Sequence, residues 1–400
     1  MGRPSRSTAA RLVATAAIIA AAATDDDVVV YVPCSESDVY PEWFTLARDS
    51  PRPSSIPRTA PTLRGCSRLI LSGAELSSVD ALRLTHAISS GGDACNSTTP
   101  CVRQLQEISL EGVPVGDAGA AVLGDTLAAV LPFNISLNMG SSSISSLGAA
   151  SLAAALRFPA SPITSFAAEW NDALGDLGAS AIGSALQVNR ALTSLGLERC
   201  GIGDEGISHI ATALRINAQL PLRDLRLEGN LIRAAGARAL GEAMAEGISR
   251  LESLGLALNP LGAEGALALA GGIRHNRVLY TLNLAGCGIG DDGAIAIAIA
   301  LRSNQALRSL SLDSNDIGPR GAAALASMLR INPALRTLSL RHNKIGPKNA
   351  ARLHDAVSGG EVAAMGAGGV EELRLEYNMV RVGLMDVYGA PLSDPDALLE

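Results

Sequence analysis

The chain has 400 residues, 48% hydrophobic, 18% charged and only 3% aromatic, with 41 Gly and 19 Pro. This composition excludes a disordered chain and a collagen, and a net charge of −7 without a basic stripe argues against nucleic-acid binding. Four Phe, two Trp and five Tyr leave the core to be built from Leu, Ile, Val and Ala.

Residues 1–24 carry Arg3, Arg6 and Arg11 with no acid, then an apolar run from Leu12 to Ala23. Three readings stay open: a secretory signal peptide, an organellar transit peptide, or an Ala-rich helix packed on the next element. The run is shorter than the ~20 apolar residues of a membrane span, so no transmembrane segment is expected. The expected compartment is the cytoplasm, or a secreted or organellar location if residues 1–24 are a targeting peptide. Residues 25–63 combine a short apolar run at Val28–Val32 with Pro41, Pro51, Pro53, Pro57 and Pro61, and read as a Pro-rich, loosely ordered lead-in. Asn96-Ser-Thr98 and Asn134-Ile-Ser136 are glycosylation sequons that become informative only with secretion. Six cysteines make no disulfide scaffold. Cys95 and Cys101 are read as free thiols, with closure of a small loop as the alternative in an oxidising compartment.

From residue 64 to 383 the chain repeats itself. Leu192-Thr-Ser-Leu195-Gly-Leu197-Glu-Arg-Cys200-Gly-Ile202 and Leu307-Arg-Ser-Leu310-Ser-Leu312-Asp-Ser-Asn315-Asp-Ile317 share the pattern L-x-x-L-x-L-x-x-[N/C]-x-[L/I]. Gly206 and Gly321 follow at the same phase, then Ile210 and Leu214, or Leu325 and Leu329. Units begin at Cys66, Leu105, Asn134, Ile163, Leu192, Leu222, Leu251, Leu279, Leu307, Leu335 and Val370. Their spacing is 28 to 30 residues except where insertions near 89–101 and 358–368 stretch it to 39 and 35.

Each position of the unit has a physical reason. Alternation at sites 4 and 6 predicts a short strand with one face inward. Asn at site 9 (Asn171, Asn230, Asn259, Asn315, Asn343, Asn378) enters the core at the turn, where its amide can satisfy unpaired backbone groups. Cys200 and Cys287 fill the same slot as small structural residues. Glycine near site 15 suits a close approach of backbone, and the Ala/Leu stretch after it has helical spacing. Strand, turn and helix of this length cannot bury themselves alone, so neighbours must stack into a solenoid.

These residues resemble the ribonuclease-inhibitor subtype of leucine-rich repeats. The resemblance implies an α/β solenoid of about 11 repeats, a right-handed horseshoe with a parallel β-sheet on the concave face and α-helices outside. The pattern weakens toward the ends: Val113 and Ser142 replace Asn, Ala168 replaces a core Leu, and Asn349 replaces Gly. Residues 384–400 read as a C-terminal cap or tail, with Ser393-Asp-Pro395 as a helix start.

Little suggests catalysis. Gly201-Ile-Gly-Asp-Glu-Gly206 and Gly288-Ile-Gly-Asp-Asp-Gly293 match G-x-G-x-x-G, but both sit at one repeat phase and put acids where a phosphate would lie. Nucleotide, hydrolase and zinc-protease motifs are absent from the sequence, and five scattered His lack metal-ligand spacing. No catalytic, cofactor or metal residue is therefore expected. The candidate surface is the concave face formed by sites 3, 5, 7 and 8, with Leu258 among the site 8 residues, and its candidate binding residues are Glu111, Glu169, Trp170, Glu198, Arg199, Arg226, Glu228, Asp313, Arg341, His342, Arg374, Glu376 and Tyr377. Arg226 and Arg374 are expected to neutralise glutamates across strands. The expected function is a non-catalytic, monomeric scaffold that binds a protein partner there. Similar repeats in Ran GTPase-activating proteins and NOD-like receptors imply two alternatives, a GTPase activator acting on a small GTPase and a ligand sensor. The first lacks that family's strongly acidic tail, and the second lacks a Walker A loop.

Overall fold

The computed structural model describes residues 27–31, 43–47, 68–70, 106–129, 134–159, 161–246, 250–359 and 369–378, the first three stretches as backbone only. The readings placed on residues 1–24, Asn96, Cys95 with Cys101, and 384–400 lie outside the described residues.

Within the segment read as a loosely ordered lead-in, β1 (Asp27–Tyr31) pairs antiparallel with β2 (Trp43–Ala47). The apolar Val28–Val30 run is thus strand, consistent with its β-branched composition.

The remaining strands form one parallel sheet in strict chain order. They are β3 (Arg68–Ile70), β4 (Glu107–Ser109), β5 (Ile135–Asn138), β6 (Ile163–Ala167), β7 (Ser194–Gly196), β8 (Asp224–Arg226), β9 (Ser253–Gly255), β10 (Thr281–Asn283), β11 (Ser309–Ser311), β12 (Thr337–Ser339) and β13 (Glu372–Arg374). The nine helices among the described residues are α1 (Gly116–Ala129), α2 (Ser146–Leu156), α3 (Gly175–Leu186), α4 (Asp204–Ile216), α5 (Ala234–Ala245), α6 (Gly262–His275), α7 (Gly290–Leu301), α8 (Pro319–Leu329) and α9 (Pro347–Gly359). Each follows one strand of β4–β12. Strands stack at ~4.8 Å and helices at ~8–10 Å, so an array with strands on one side and helices on the other must curve toward the strands. The molecule is an α/β solenoid with the sheet on its concave side.

The core lies between the two layers, and the repeat supplies it at fixed sites. Leu195, Leu197, Ile202, Ile210 and Leu214 of one unit are all at most 3% exposed. In α4 the inward face is Gly206, Ile207, Ile210, Ala211, Ala213 and Leu214, with Asp204 and Glu205 in the first turn and Arg215 in the last, as the helix dipole favours. One aromatic does enter this aliphatic core. Phe166 at site 4 is fully buried beside Ala168 at site 6, so the missing Leu is offset by a larger neighbour.

Asn134 does not occupy the core position that opens its unit. It is exposed, and Ile135, fully buried, takes the place instead. Ile135 pairs with Ile163 and Ser136 with Ser165, so Thr164 is an extra residue that absorbs the slip.

Polar groups tie the units together. Asn230 accepts from Cys200 N and Ile202 N of the preceding unit, both at 3.0 Å. It donates to Leu197 O at 2.7 Å and Leu227 O at 2.9 Å. Cys200 does part of this work, its thiol donating to Ala168 O at 3.1 Å. Burial pushes the Cys200 thiol up to about 12 and that of Cys287 to about 11, so both stay protonated and unreactive at neutral pH.

Two further devices are not apparent from the consensus. Asn189, Asn276, Asn304 and Asn332, three residues before their unit's first Leu, donate to the preceding unit's last helical carbonyls and accept from the N–H groups that lead into their own strand. Asp117, Asp176, Asp204 and Asp291 each reach forward to cap the next unit's helix. Asp291 Oδ1 accepts from Gly318 N and Gly321 N at 2.8 and 2.7 Å. A Cβ on Gly321 would stand 2.8 Å from that oxygen, which is the close approach the glycine serves. Where Pro319 replaces this Asp, the following unit carries Asn349 in place of Gly. The first acid inside each G-x-G-x-x-G string, Asp204 or Asp291, is therefore a helix cap of the neighbouring unit.

Candidate functional site

Sites 3, 5 and 7 lie on the helix-free face of the sheet among the described residues, and site 8 forms the corner after each strand. The corner conformation is the principal surprise. Trp170, Arg199, Leu258, Ser314, His342 and Tyr377 all have φ between 51° and 61°, and their glycine counterparts Gly112, Gly229 and Gly286 lie at 67° to 75° in the same left-handed region. The reason is the ladder: Trp170 N donates to Glu198 O and Arg199 N to Glu228 O, both at 2.9 Å, which continues the sheet hydrogen bonding around the bend. The backbone asks for glycine here, and a bulky L-residue costs about 1–2 kcal/mol. Yet Trp170, Leu258 and Tyr377 stand there 59%, 57% and 75% exposed, burying little in return. The repeat phase already places Leu258 at site 8 beside Trp170, Arg199, His342 and Tyr377, and the structure shows it exposed there.

The corner residues form two pairs. Arg199 Cζ lies 4.2 Å from the Trp170 ring centroid, a cation–π contact. His342 stacks on Tyr377 with centroids 4.5 Å apart and planes 6° from parallel.

Beside the corner row, the acids divide into two groups. In the first, Arg226 on β8 reaches back over the face: Nη2 is 3.2 Å from Glu169 Oε1, Nε is 2.7 Å from Glu198 Oε1, and Nη1 is 3.8 Å from Asp224 Oδ2. The Nε contact is an ion pair without hydrogen-bond alignment. This arrangement needs room, and Gly196 supplies it: a Cβ there would meet Arg226 and both glutamates. Gly255 does the same for Glu228, whose carboxylate lies against it. Glu198 Oε2 and Glu228 Oε2 are buried with no hydrogen-bond partner. Burial pushes the Glu198 carboxyl up to about 7, helped by Glu169 and Glu228 and opposed by its own backbone and Arg226. Burial likewise raises Glu228. Glu111 stands apart, exposed, accepting from Asn138 Nδ2 at 3.2 Å.

In the second group, Arg341 Nε pairs with Glu376 at 2.9 Å, and Asp313 Oδ1 accepts from Ser339 Oγ at 2.6 Å and Arg341 N at 2.7 Å. Arg374 bonds Glu372 of its own strand rather than a neighbouring glutamate, so the expected cross-strand neutralisation holds for Arg226 alone. Between the groups, the face carries the small residues Gly255, Ala257, Asn283, Ala285 and Ser311. Among the described residues no cluster of His, Cys, Asp or Glu could hold a metal ion, and no helix is long and apolar enough to cross a membrane.

A solenoid of regular strand–turn–helix units whose sheet carries no helix on one face among the described residues defines a repeat protein. The family model described as leucine-rich repeat matches residues 188–211, 250–270, 275–298, 303–326 and 332–348, and the fold is that of a leucine-rich-repeat solenoid. No curated protein matches it. Among solved structures it is similar to leiomodin-1 actin-binding site 2, at 18% identity and a TM-score of 0.26, covering 40% of this chain and 75% of that one. It is also similar to the Rad7 and Elc1 complex in yeast, at 15% identity and a TM-score of 0.26, covering 68% of this chain and 86% of that one. Likenesses this low do not bear on function.

Proposed function

We propose that the protein is a non-catalytic interaction scaffold whose concave face binds a protein partner. One observation carries the reading: exposed Trp170, Arg199, Leu258, His342 and Tyr377 occupy corners whose backbone favours glycine. Strain retained at an exposed position without packing gain marks residues kept for contact. Glu169, Glu198, Glu228, Asp313, Arg341, Arg374 and Glu376 lie beside them, with Arg226 organising the first group. The subtype fits that of ribonuclease inhibitor, supported by helices of 11 to 14 residues in the nine units of β4–β12 and by Asn or Cys at site 9 in every unit from Asn171 onward.

The test is affinity isolation from the native source with wild type and with a Trp170→Ala, Glu198→Arg, Glu228→Arg variant. The variant is expected to lose at least one partner that wild type retains. Identical partner sets from two equally folded proteins would remove the concave-face assignment.

A further inference from the structure

The face carries two parallel rows with different chemistry. The site 7 row presents Glu169, Glu198 and Glu228 on consecutive units, and with Asp224 these four acids face a single Arg226. The adjoining corner row presents exposed Trp170 and Leu258. Consecutive strands lie ~4.8 Å apart, so the acids recur at that interval and Trp170 and Leu258 stand ~14 Å apart. An α-helix laid across the strands brings the same face round every ~5.4 Å. Its cations at i, i+3 or i+4, and i+7 therefore meet the three glutamates in turn. An apolar stripe on its flank, between two and three turns long, spans from Trp170 to Leu258.

We infer that strands β6–β9 form a docking surface for a basic amphipathic helix of a partner protein, cations on Glu169, Glu198 and Glu228 and apolar side chains on Trp170 and Leu258. Charge complementarity selects this occupant: the cluster retains an excess of negative charge after Arg226 is counted. Glu198 and Glu228 each hold one oxygen without a hydrogen-bond partner, a cost in the free protein. A cation from the helix satisfies these oxygens once each carboxylate swings off the glycine beneath it. Arg199, stacked on Trp170, is positioned to swing aside and expose the ring face to an apolar side chain.

The inference rests on the concave-face reading, and the experiment separates the two. The probe is a synthetic Leu/Lys peptide of about four helical turns, patterned at helical period, titrated into the full chain by calorimetry. Its controls are the Leu/Glu counterpart and a Leu/Lys peptide of equal composition in strict alternation. Wild type is expected to bind the helical Leu/Lys peptide alone. A Glu169→Gln, Glu198→Gln, Glu228→Gln variant should bind it roughly tenfold more weakly or worse, and so should Trp170→Gly with Leu258→Gly. The glycine variant relieves backbone strain, so it folds even if the glutamine variant does not. Glu205→Gln with Glu264→Gln, on the helix side, should bind like wild type. Binding by either concave variant within about threefold of wild type, or equal binding of a control peptide, overturns the inference. If that happens while the triple variant of the affinity experiment still loses its native partner, the scaffold reading stands and only the helix falls.

Discussion

At the scale of single residues, the corner row and Glu198 trade stability for surface chemistry, and both trades can be measured. Leu258 sits at φ 59° between Gly229 and Gly286, its equivalents in neighbouring units. Removing its side chain gives up little burial and releases about 1–2 kcal/mol of left-handed strain, less the extra entropy of an unfolded glycine. Leu258→Gly should thus stabilise the protein by about 0.5–1 kcal/mol in urea unfolding, whereas Leu258→Val should destabilise it. Destabilisation by the glycine would show that the exposed Leu packs after all. Glu198 makes a second prediction. Its carboxyl is raised on folding, so the folded state holds the proton more tightly, and the stabilisation present at acidic pH is lost as pH rises through about 7. Between pH 5.5 and 8 wild type should lose about 2 kcal/mol more than Glu198→Gln, measured by denaturant unfolding at each pH. Asp117 and Glu376 act oppositely. For each, burial is outweighed by hydrogen bonds, and for Glu376 also by Arg341, so each adds stability at neutral pH that is lost as pH falls through and below the ordinary carboxylate range.

At the scale of elements, the unit is held less by its own strand and helix than by polar groups shared with its neighbours. A strand of three residues and a helix of three turns are each marginal alone. What makes them persist is that turns, most helix starts and several helix ends are hydrogen-bonded by the next or the preceding unit. Asp291 is a clean case, because its carboxylate satisfies two N–H groups at the start of a helix to which it does not belong. Asp291→Ala should cost about 1–2 kcal/mol, the range of an N-cap, although Asp291 itself stays within a helix where Ala has the higher propensity. Hydrogen exchange should place the lost protection at the start of α8, one unit away from the substitution. Loss confined to α7 would mean that the cap is not shared.

At the scale of the whole molecule, the array was legible because a solenoid writes its register into sequence: Leu195 and Leu310 pair with their neighbours at the same phase from which the repeat was read. Less legible was whatever depends on backbone sign or on residues outside the consensus. Left-handed corners do not announce themselves when Trp, Arg, Leu, His and Tyr fill them. The second asparagine row was visible as Asn three residues before Leu192, Leu279, Leu307 and Leu335, but its role needed the facing carbonyls. At the candidate site, the acidic column showed in sequence, whereas its division by Arg226 into a buried group and a separate Arg341–Glu376 pair depends on side-chain reach over Gly196. The same one-dimensional order sets how the molecule should come apart. In a solenoid each unit packs mainly on its neighbours, so cooperativity depends on every interface being strong enough to couple the two sides. Asn230 lies near the middle, and Asn230→Ala leaves Leu197 O, Leu227 O, Cys200 N and Ile202 N without their partner, a cost of about 3 kcal/mol or more at one interface. Asn343 makes the equivalent four bonds to Leu312 O, Leu340 O, Asn315 N and Ile317 N near the end of the described array. Asn343→Ala should fray the terminal units and leave the main urea transition in place with a smaller m-value. Asn230→Ala should instead split unfolding into two transitions, one for the units on each side, resolved by far-ultraviolet circular dichroism. A single transition with the wild-type m-value in Asn230→Ala would show that the helix layer alone couples the array, and that the asparagine rows only satisfy local backbone groups.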